Sequence, residues 1–542
     1  MLAKNGLKNT WDLIGGIMDK FVNLHAHTSY SDGIGSLNAM MNKVKDLGQN
    51  ALAITDHGTL SGAMAFMRTA KENDIKPIVG IEGYMINDTL DIYFHITLLA
   101  MNKNGFENLV KLNNVAHKSL YKKPAFTLEQ LVRFSDDVIV LSGCPDGVPV
   151  KGSPSFIAEF GLTLKKVFGN RFYAEIMFSM PDIWKKQLKF ADTYELPIVF
   201  TADSHFINKG DHGLHSKVNK LLRGYTFPNK PLFLHSRTQM ESRANSNKFP
   251  FHRIQEGLNN TVKIASMVEE FVIEHPVTLP APPDAKQQLY NVIQMKKNRM
   301  IMNGVWNDEY AARLKYESNI ITRMKFWDYF WMVWKVVEHG KSQNIKLGHG
   351  RGSAAGSLVV YMLGITTVDP VKYDLIFERF LNIARKGVVD IDLDWQADRR
   401  DEIIEFAHVT WKALPLITIS TYSHKSLLND LARVFKINSK QKAELSDEHS
   451  PEFALFCTSN PEFAHAYKMM IGGVRHRGKH ASGFAITKNH NLPVERMKGN
   501  KLTYGVPLAS SQYDDLTPWG ATKFDLLGLT SLSALSRMEE LT

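Results

Sequence analysis

Asp390, Asp392 and Asp394 alternate with Val389, Ile391 and Leu393. This is the two-residue period of a strand with one wet face and one packed face. Carboxylates projecting from one side repel one another unless a cation lies between them. Hard oxygen ligands suit Mg²⁺, which takes one or two protein carboxylates and leaves its other positions for phosphate oxygens. On this hexapeptide alone, a solvated edge strand fits equally well.

Upstream, Gly348–Ser357 reads GHGRGSAAGS and leads into the apolar run Leu358 to Leu363. Glycines let backbone N–H groups approach a ligand, and a helix starting at the run would add its positive end. Arg351, Gly352, Ser353 and Ser357 supply further donors. The expectation is an anion cradle suited to a triphosphate, with a plain turn as the alternative. No Gly-Lys-Ser/Thr follows, so it is not a P-loop.

A second set of chemistry-bearing residues lies in the first 205 positions: His25, His27, Asp32, His57, Glu82, His95, Cys144, Asp203 and His205. Any one has an ordinary explanation as a core or surface residue. Together they fall at or just beyond the carboxyl ends of nearly all the apolar segments FVNLHAH, ALAITDH, KPIVGIEGYM, YFHITLLA, DVIVLSGC, RFYAEIM and PIVFTADSH, which read as strands. Barrel active sites occupy that end. Mixed imidazole, carboxylate and thiolate ligands favour Zn²⁺, with Mn²⁺ or Fe²⁺ as alternatives. Nine ligands fit two or three ions, which can activate water and clamp phosphodiester oxygens. Asp56 is expected to orient His57 from behind.

The elements that must position these residues follow from the pattern. Helices are expected over Ser36–Gly48, Leu60–Asn73, Gly105–Leu120 and Pro181–Leu196, and their alternation with strands predicts a parallel α/β barrel. Residues 225–275 read as its linking part, ending in a helix. LPAPP at 279–283 reads as a linker. The aromatic run Phe326–Trp331 suits core packing better than base stacking. Ile417–Tyr422 reads as a strand and Lys425–Phe435 as a helix, with Lys425 and Arg433 available to phosphates. Arg475, Arg477, Lys479 and His480 form a basic stretch that suits either a solvated turn or a nucleic-acid backbone. A formal charge of +10 and a pI near 9.2 point weakly to a polyanionic partner. Two cysteines exclude a disulfide framework, and no apolar run reaches membrane-spanning length, so a cytoplasmic protein with no membrane partner is expected.

GRGSAAGSLVVYMLGITTVDP, FERFLN, VDIDLDW and DRRDEIIEF, in that order, resemble the palm of C-family replicative DNA polymerases. HAHTSYSDG, TDH, GIEGY, FHITLLA, LSGC and TADSH resemble their amino-terminal polymerase-and-histidinol-phosphatase (PHP) domain. The resemblance implies an α/β multidomain chain. A PHP-type (β/α)7-like barrel would be followed by a mixed α/β nucleotidyltransferase-like palm with an inserted helical thumb. The expected boundaries are 1–20 for an N-terminal extension, 21–278 for PHP, 279–429 and 480–542 for the palm, and 430–479 for the thumb. It also implies that Asp525, in KFD, joins Asp390 and Asp392 as catalytic Mg²⁺ ligands, that Lys523 meets the triphosphate or primer end, and that RxxGKHAxG marks the return from thumb to palm. The substrates would be primer–template DNA and dNTPs. A complete PHP ligand set implies metal-dependent 3′–5′ proofreading. A fingers domain would follow the KFD block in the family. None follows here, so a second polypeptide carrying fingers, and through it a sliding clamp, is the expected partner. The alternative is a self-sufficient PHP phosphoesterase or exonuclease that uses the palm only to hold DNA. A cellular and a viral source fit these residues equally, the latter placing the protein in host cytoplasm rather than at its own nucleoid.

Overall fold

The computed structural model describes residues 21–541 apart from 88–89, 119–121, 385–389, 489–491, 498–502 and 510–515. The expected extension over residues 1–20, the last two residues of the helix expected to end at Leu120, and Val389 lie outside the described residues. The chain forms two compact units. One comprises residues up to Val272 with Ile419–His476 and Pro493–Arg496. The other comprises Ile273–Thr418, Arg477–Leu492 and the residues from Met497 onward.

The first unit contains β1 (Ala51–Ile54), β2 (Lys76–Asn87), β3 (Leu90–Ala100), β4 (Ala125–Phe126), β5 (Val138–Leu141), β6 (Phe172–Met177) and β7 (Ile198–Thr201). They make one sheet in the order β1-β2-β3-β5-β6-β7, with β4 on β2. β1, β5 and β7 are short runs buried throughout, as expected where both faces of a sheet are covered. The segment FVNLHAH is not a continuous strand. It makes single parallel bridges, Asn23 to Leu52 and Ala26 to Ser204, which set it between β1 and β7 and curl the sheet round on itself.

The sheet is not all-parallel as expected. β3 runs antiparallel to both β2 and β5. Only two residues separate β2 from β3, far fewer than a parallel crossover needs. His95 therefore lies at the middle of its strand, not its carboxyl end, and the reversed direction brings it to the same rim as the other ligands. Four helices fall close to their expected places: Leu37–Asp46, Ala63–Glu72, Lys103–Lys118 and Ile183–Thr193. The sequence reading missed Pro154–Phe168, His212–Arg223 and Arg237–Ser246. Helix His424–Phe435 and the short helices Ser439–Glu444, Pro451–Ser459 and Pro461–Met470 group with this unit.

The second unit packs helices Ala285–Met302, Asp308–Arg323, Trp327–Ser342 and Arg400–Trp411 with a six-stranded sheet. Its strands are β8 (Leu393–Gln396), β9 (Leu414–Thr421), β10 (Val474–Ile486), β11 (Glu495–Met497), β12 (Thr503–Ala509) and β13 (Thr522–Leu529), in the order β11-β12-β9-β10-β13-β8. The aromatic run is core: Trp327, Tyr329, Phe330, Trp331 and Trp334 are all buried. Among the described residues, no helix is long and apolar enough to cross a membrane.

Gly340 shows how tightly this core is closed. A methyl group there would stand 2.2 Å from the Trp395 ring and 3.2 Å from Ile403. Trp395 is fully buried in β8, the strand that follows the aspartates. Gly340→Ala should therefore destabilise the protein by about 1–3 kcal/mol through overpacking, despite alanine's better helix propensity. Denaturant unfolding followed by tryptophan fluorescence measures this.

Candidate functional site

All nine residues singled out in the first 205 positions converge. His25, His27, Glu82 and Asp203 form one group whose ligand atoms lie within 4.8 Å of one another. His27, Asp32, His57 and His205 form a second, His57, Glu82 and His95 a third, and His95, Cys144 and Asp146 a fourth. The groups share members, so they describe one extended centre. His25 Nε2 and His27 Nε2 are 3.1 Å apart, and Asp203 Oδ1 is 3.0 Å from His27 Nε2. Asp32 reaches His57 Nε2 at 3.5 Å and His205 Nε2 at 3.4 Å. Cys144 Sγ is 3.3 Å from His95 Nδ1.

Local folding aims these groups. The register of β2 against β3 pairs Tyr84 with His95, and His57 bridges Glu82 just beyond β1. Asp203 has φ +50, a left-handed conformation that aspartate tolerates better than most residues. His205 Nδ1 donates to the Asp203 carbonyl at 2.8 Å, which leaves the Nε2 lone pair for a ligand's role. The His215 ring and the Asn219 amide both reach the Asp32 carbonyl, at 3.0 and 3.2 Å, and steady its loop.

The electrostatics are those of a site made for cations. Both Glu82 oxygens, Asp32 Oδ1, His27 Nδ1 and His57 Nδ1 are buried without a hydrogen-bond partner. His57 Nδ1 nevertheless lies 2.7 Å from Glu82 Oε2. Close approach without hydrogen-bonding geometry is what lone pairs aimed at a common ion would show. Burial opposes charge on His57, but Asp32 and Glu82 overcome it and push the imidazole up to about 9. Burial, then the neighbouring His57 and His205, push His27 down to about 3. The imidazoles around Glu82 hold its carboxyl well below the usual range against its burial. Burial, then Glu82 and Asp203, push the Cys144 thiol up. A cation would reverse that last shift.

Three contributors escaped the sequence reading. Glu175, wholly buried in β6, accepts from His25 Nδ1 at 2.7 Å, Thr201 Oγ1 at 2.6 Å, Thr97 Oγ1 at 3.1 Å and Gly143 N at 3.2 Å. It fixes His25 with Nε2 facing the centre. A lone acid inside the apolar strand FYAEIM was the available signal. Asp146, beside Cys144, is the second, and His215 the third. Asp56 accepts from Thr28 N, Thr28 Oγ1 and Ser31 Oγ, so it secures the turn after His27.

In the second unit, Asp390, Asp392 and Asp525 form another group within 4.8 Å. β13 lies between β10 and β8, parallel to β8, with Leu526 opposite Leu393. That register sets Asp525 beside Asp392. Of the expected strand, only Leu393 and Asp394 lie in β8; Asp390–Asp392 precede it. Ile391, 1 % exposed, anchors the stretch by packing inward and donating its N–H to Tyr329 Oη at 3.0 Å. Ser482 Oγ donates to Asp525 Oδ1 at 3.0 Å, and the Lys523 ammonium sits on its other oxygen. Loss of solvent, then Asp525 and Asp392, push Asp390 up to about 6. Asp392 is raised by the same loss of solvent and by Asp525. Two carboxylates raised in this way, with the Asp525 carboxylate within 4.8 Å, want a cation.

Asp394 has a different job. Its two oxygens each accept from Arg351 Nε at 3.0 Å, and its carbonyl accepts from Gly348 N at 2.8 Å. It ties the glycine-rich turn to β8. Gly350 at φ +135 and Gly352 at φ +64 require glycine. Arg351, Gly352 and Ser353 are exposed, but Ser357 is wholly buried and donates to Glu317 at 2.7 Å, so it is no free donor for a nucleotide. Arg475 is likewise committed: it pairs with Asp430, Nε to Oδ2 at 2.8 Å. Lys425 and Lys479 are exposed. His480 Nδ1 accepts from Ser482 N and Gly483 N, at 3.2 and 2.7 Å. Arg475–His480 belongs to β10 and is not a turn.

A curled sheet with a histidine–carboxylate centre at its rim, in one chain with a mixed α/β unit bearing three convergent aspartates, defines the class: a PHP domain accompanied by a polymerase-type domain. The family models agree, with residues 23–179 matching the PHP domain and residues 287–528 the bacterial DNA polymerase III alpha NTPase domain. The chain is 31% identical to the DNA polymerase III subunit alpha of Borreliella burgdorferi, over 96% of this chain and 49% of that protein. It is 28% identical to that of Aquifex aeolicus, over 96% and 52%, and 28% identical to that of Bacillus subtilis, over 95% and 49%. The chain is thus DNA polymerase III alpha-like with a PHP domain, and it spans about half the length of these relatives.

Glu175→Gln should weaken metal binding at the His25 group about 10–100-fold, the usual loss when a partner behind a ligand is removed. Competitive titration with a chelator, read by elemental analysis, measures it. Thr97, Thr201 and the Gly143 amide keep the substituted side chain in place, so the fold should persist.

Proposed function

We propose that this chain carries the DNA-directed nucleotidyl-transfer site and a 3′–5′ proofreading exonuclease of a C-family replicative polymerase. The observation that carries the reading is the convergence of Asp390, Asp392 and Asp525 beside the Gly352 turn, where a Cβ would lie 3.9 Å from Asp392 Oδ2. These three carboxylates would hold Mg²⁺, which activates the primer 3′-hydroxyl and stabilises departing pyrophosphate when bound. Asp392 and Asp390 crowd negative charge where the phosphate oxygens must come. Arg351, forked on Asp394 yet 44 % exposed at its side chain, offers a preset cation to the triphosphate. Lys523 neutralises Asp525 in their absence and can turn to phosphate or the primer end.

The PHP centre, with Zn²⁺, Mn²⁺ or Fe²⁺ as two or three ions, would excise a mispaired 3′-nucleotide. Lys425, Lys479 and Arg477 would follow the DNA backbone. A fingers-bearing protein would complete the nucleotide pocket and bring contact with a sliding clamp. Such a protein would work at the nucleoid in the cytoplasm, or in host cytoplasm if viral. Primer extension by this chain together with the fingers-bearing protein tests the reading; no association and no extension would overturn it. The intact ligand set of the PHP centre also favours a second reading, a stand-alone phosphoesterase. It requires full nuclease turnover without a partner and indifference to Asp390→Ala.

Asp392→Asn should abolish nucleotide addition by the assembled enzyme while leaving excision nearly intact. Loss of both activities would mean a misplaced site or an unfolded chain, and a melting curve separates the two. His27→Ala should do the reverse, since a metal site seldom survives loss of a shared ligand. Removal of a 3′-terminal mismatch, assayed with Zn²⁺, Mn²⁺ and Mg²⁺ in turn, should fall to background while extension persists. Wild-type protein inactive with all three ions would mark the centre as a relic.

A further inference from the structure

Glu317, in helix Asp308–Arg323, is wholly buried and belongs to neither set of carboxylates described above. Its Oε1 accepts from Arg313 Nε at 2.6 Å and Leu358 N at 2.9 Å, and its Oε2 from Ser357 Oγ at 2.7 Å and Val359 N at 3.0 Å. Helix Leu358–Met362 begins at these amides. The N–H groups that a helix start leaves open, and that the sequence offered to a triphosphate, are thus already taken by a carboxylate of the same chain. Arg313 completes the frame, Nη2 donating to the Gly356 and Leu375 carbonyls at 2.8 Å each.

The glycine-rich turn is therefore pinned at both ends. Asp394 holds its front through Gly348 N and Arg351, and the Glu317–Arg313 pair holds its rear. Between them Gly350–Ser353 stay exposed, next to Asp392. We infer that Glu317 and Arg313 are positioning residues for the nucleotide: they occupy the helix start and fix the rear of the turn, so that the exposed front, Gly350–Ser353 with Arg351, receives the triphosphate. The inference rests on the nucleotidyl-transfer reading above. Neither residue touches the substrate; each acts through the backbone it holds.

The substitutions are set by the geometry. An amide at 317 has one acceptor oxygen, so either orientation turns its NH₂ towards an N–H donor, that of Val359 or those of Leu358 and Arg313. Lysine at 313 keeps the charge but has no fork to span Glu317 and two carbonyls. The test uses the purified chain with Mg²⁺ and each of the four dNTPs by calorimetric titration. Primer–template binding and thermal unfolding are measured beside it. Glu317→Gln and Arg313→Lys should each weaken dNTP binding roughly tenfold or more, as displacement of a substrate-positioning turn does, with primer–template affinity unchanged. A purely structural role would lower both affinities together, and that result overturns the inference. So does a folded variant with wild-type dNTP affinity. Should Glu317→Gln fail to fold, Arg313→Lys alone decides. A wild-type chain that binds DNA but no dNTP overturns the palm reading and this inference with it, whereas normal wild-type binding with unaffected variants overturns the inference alone.

Discussion

The first unit depends on one constraint, the enclosure of Glu82 among imidazoles. A carboxylate taken out of water costs several kcal/mol unless opposite charge and hydrogen bonds replace the solvent. Glu82 has no hydrogen bond to either oxygen, yet His57, His95 and His25 stand within 2.7 to 3.5 Å. What the sheet supplies is the means of keeping them there. β2 presents Glu82, β3 presents His95 from the reverse direction, and the turn after β1 presents His57. The segment before β1, bridged on both sides, brings His25 and His27 from below. Remove the curl of the sheet and these ligands separate. Remove the ligands' mutual attraction, or the cation they are aimed at, and the rim holds uncompensated charge.

The second unit meets a similar problem with a different solution. Asp525 comes from the last strand, over 130 residues beyond Asp390, and enters the sheet next to β8. Parallel pairing of β13 with β8 is what makes a site from two distant stretches of sequence. The floor beneath it is apolar and inflexible: Ile391, Tyr329 and Phe524 are buried, and the Tyr329 and Phe524 rings stand 4.9 Å apart. On such a floor Asp390 and Asp392 lose solvent and stay close to Asp525, and the two effects, in that order, raise both.

Much of this was legible in the sequence because the signals were local. His25 and His27 sit two residues apart, TDH and TADSH follow short apolar runs, and each run is a buried strand. The aromatic run was readable as core because its spacing is helical. What stayed hidden was set by contacts distant in sequence. The reversal of β3 depends on a two-residue connection between runs that look alike. Glu175 looked like one polar residue in a strand until β3, β7 and the turn after β5 closed around it. Ser357 appeared to be a phosphate donor, because the 317th residue that claims it gives no sign in its own neighbourhood. Arg475 appeared free for the same reason, its partner Asp430 lying 45 positions earlier.

The contrast between the two carboxylate groups bears on what each unit can do. Glu82 and His25 are enclosed, their charges balanced by imidazoles that cannot leave, and the ligand set mixes nitrogen, oxygen and sulfur. Such a centre suits an ion that stays with the protein. Asp390 and Asp392 are more open, their ligand atoms are all oxygen, and the nearby cations are Lys523, paired with Asp525, and Arg351, paired with Asp394. Hard oxygen sites with spare positions suit Mg²⁺ arriving with phosphate oxygens of its own. The two donor sets thus differ in the ion they suit: the enclosed mixed set favours one held tightly, the open oxygen set one that exchanges readily.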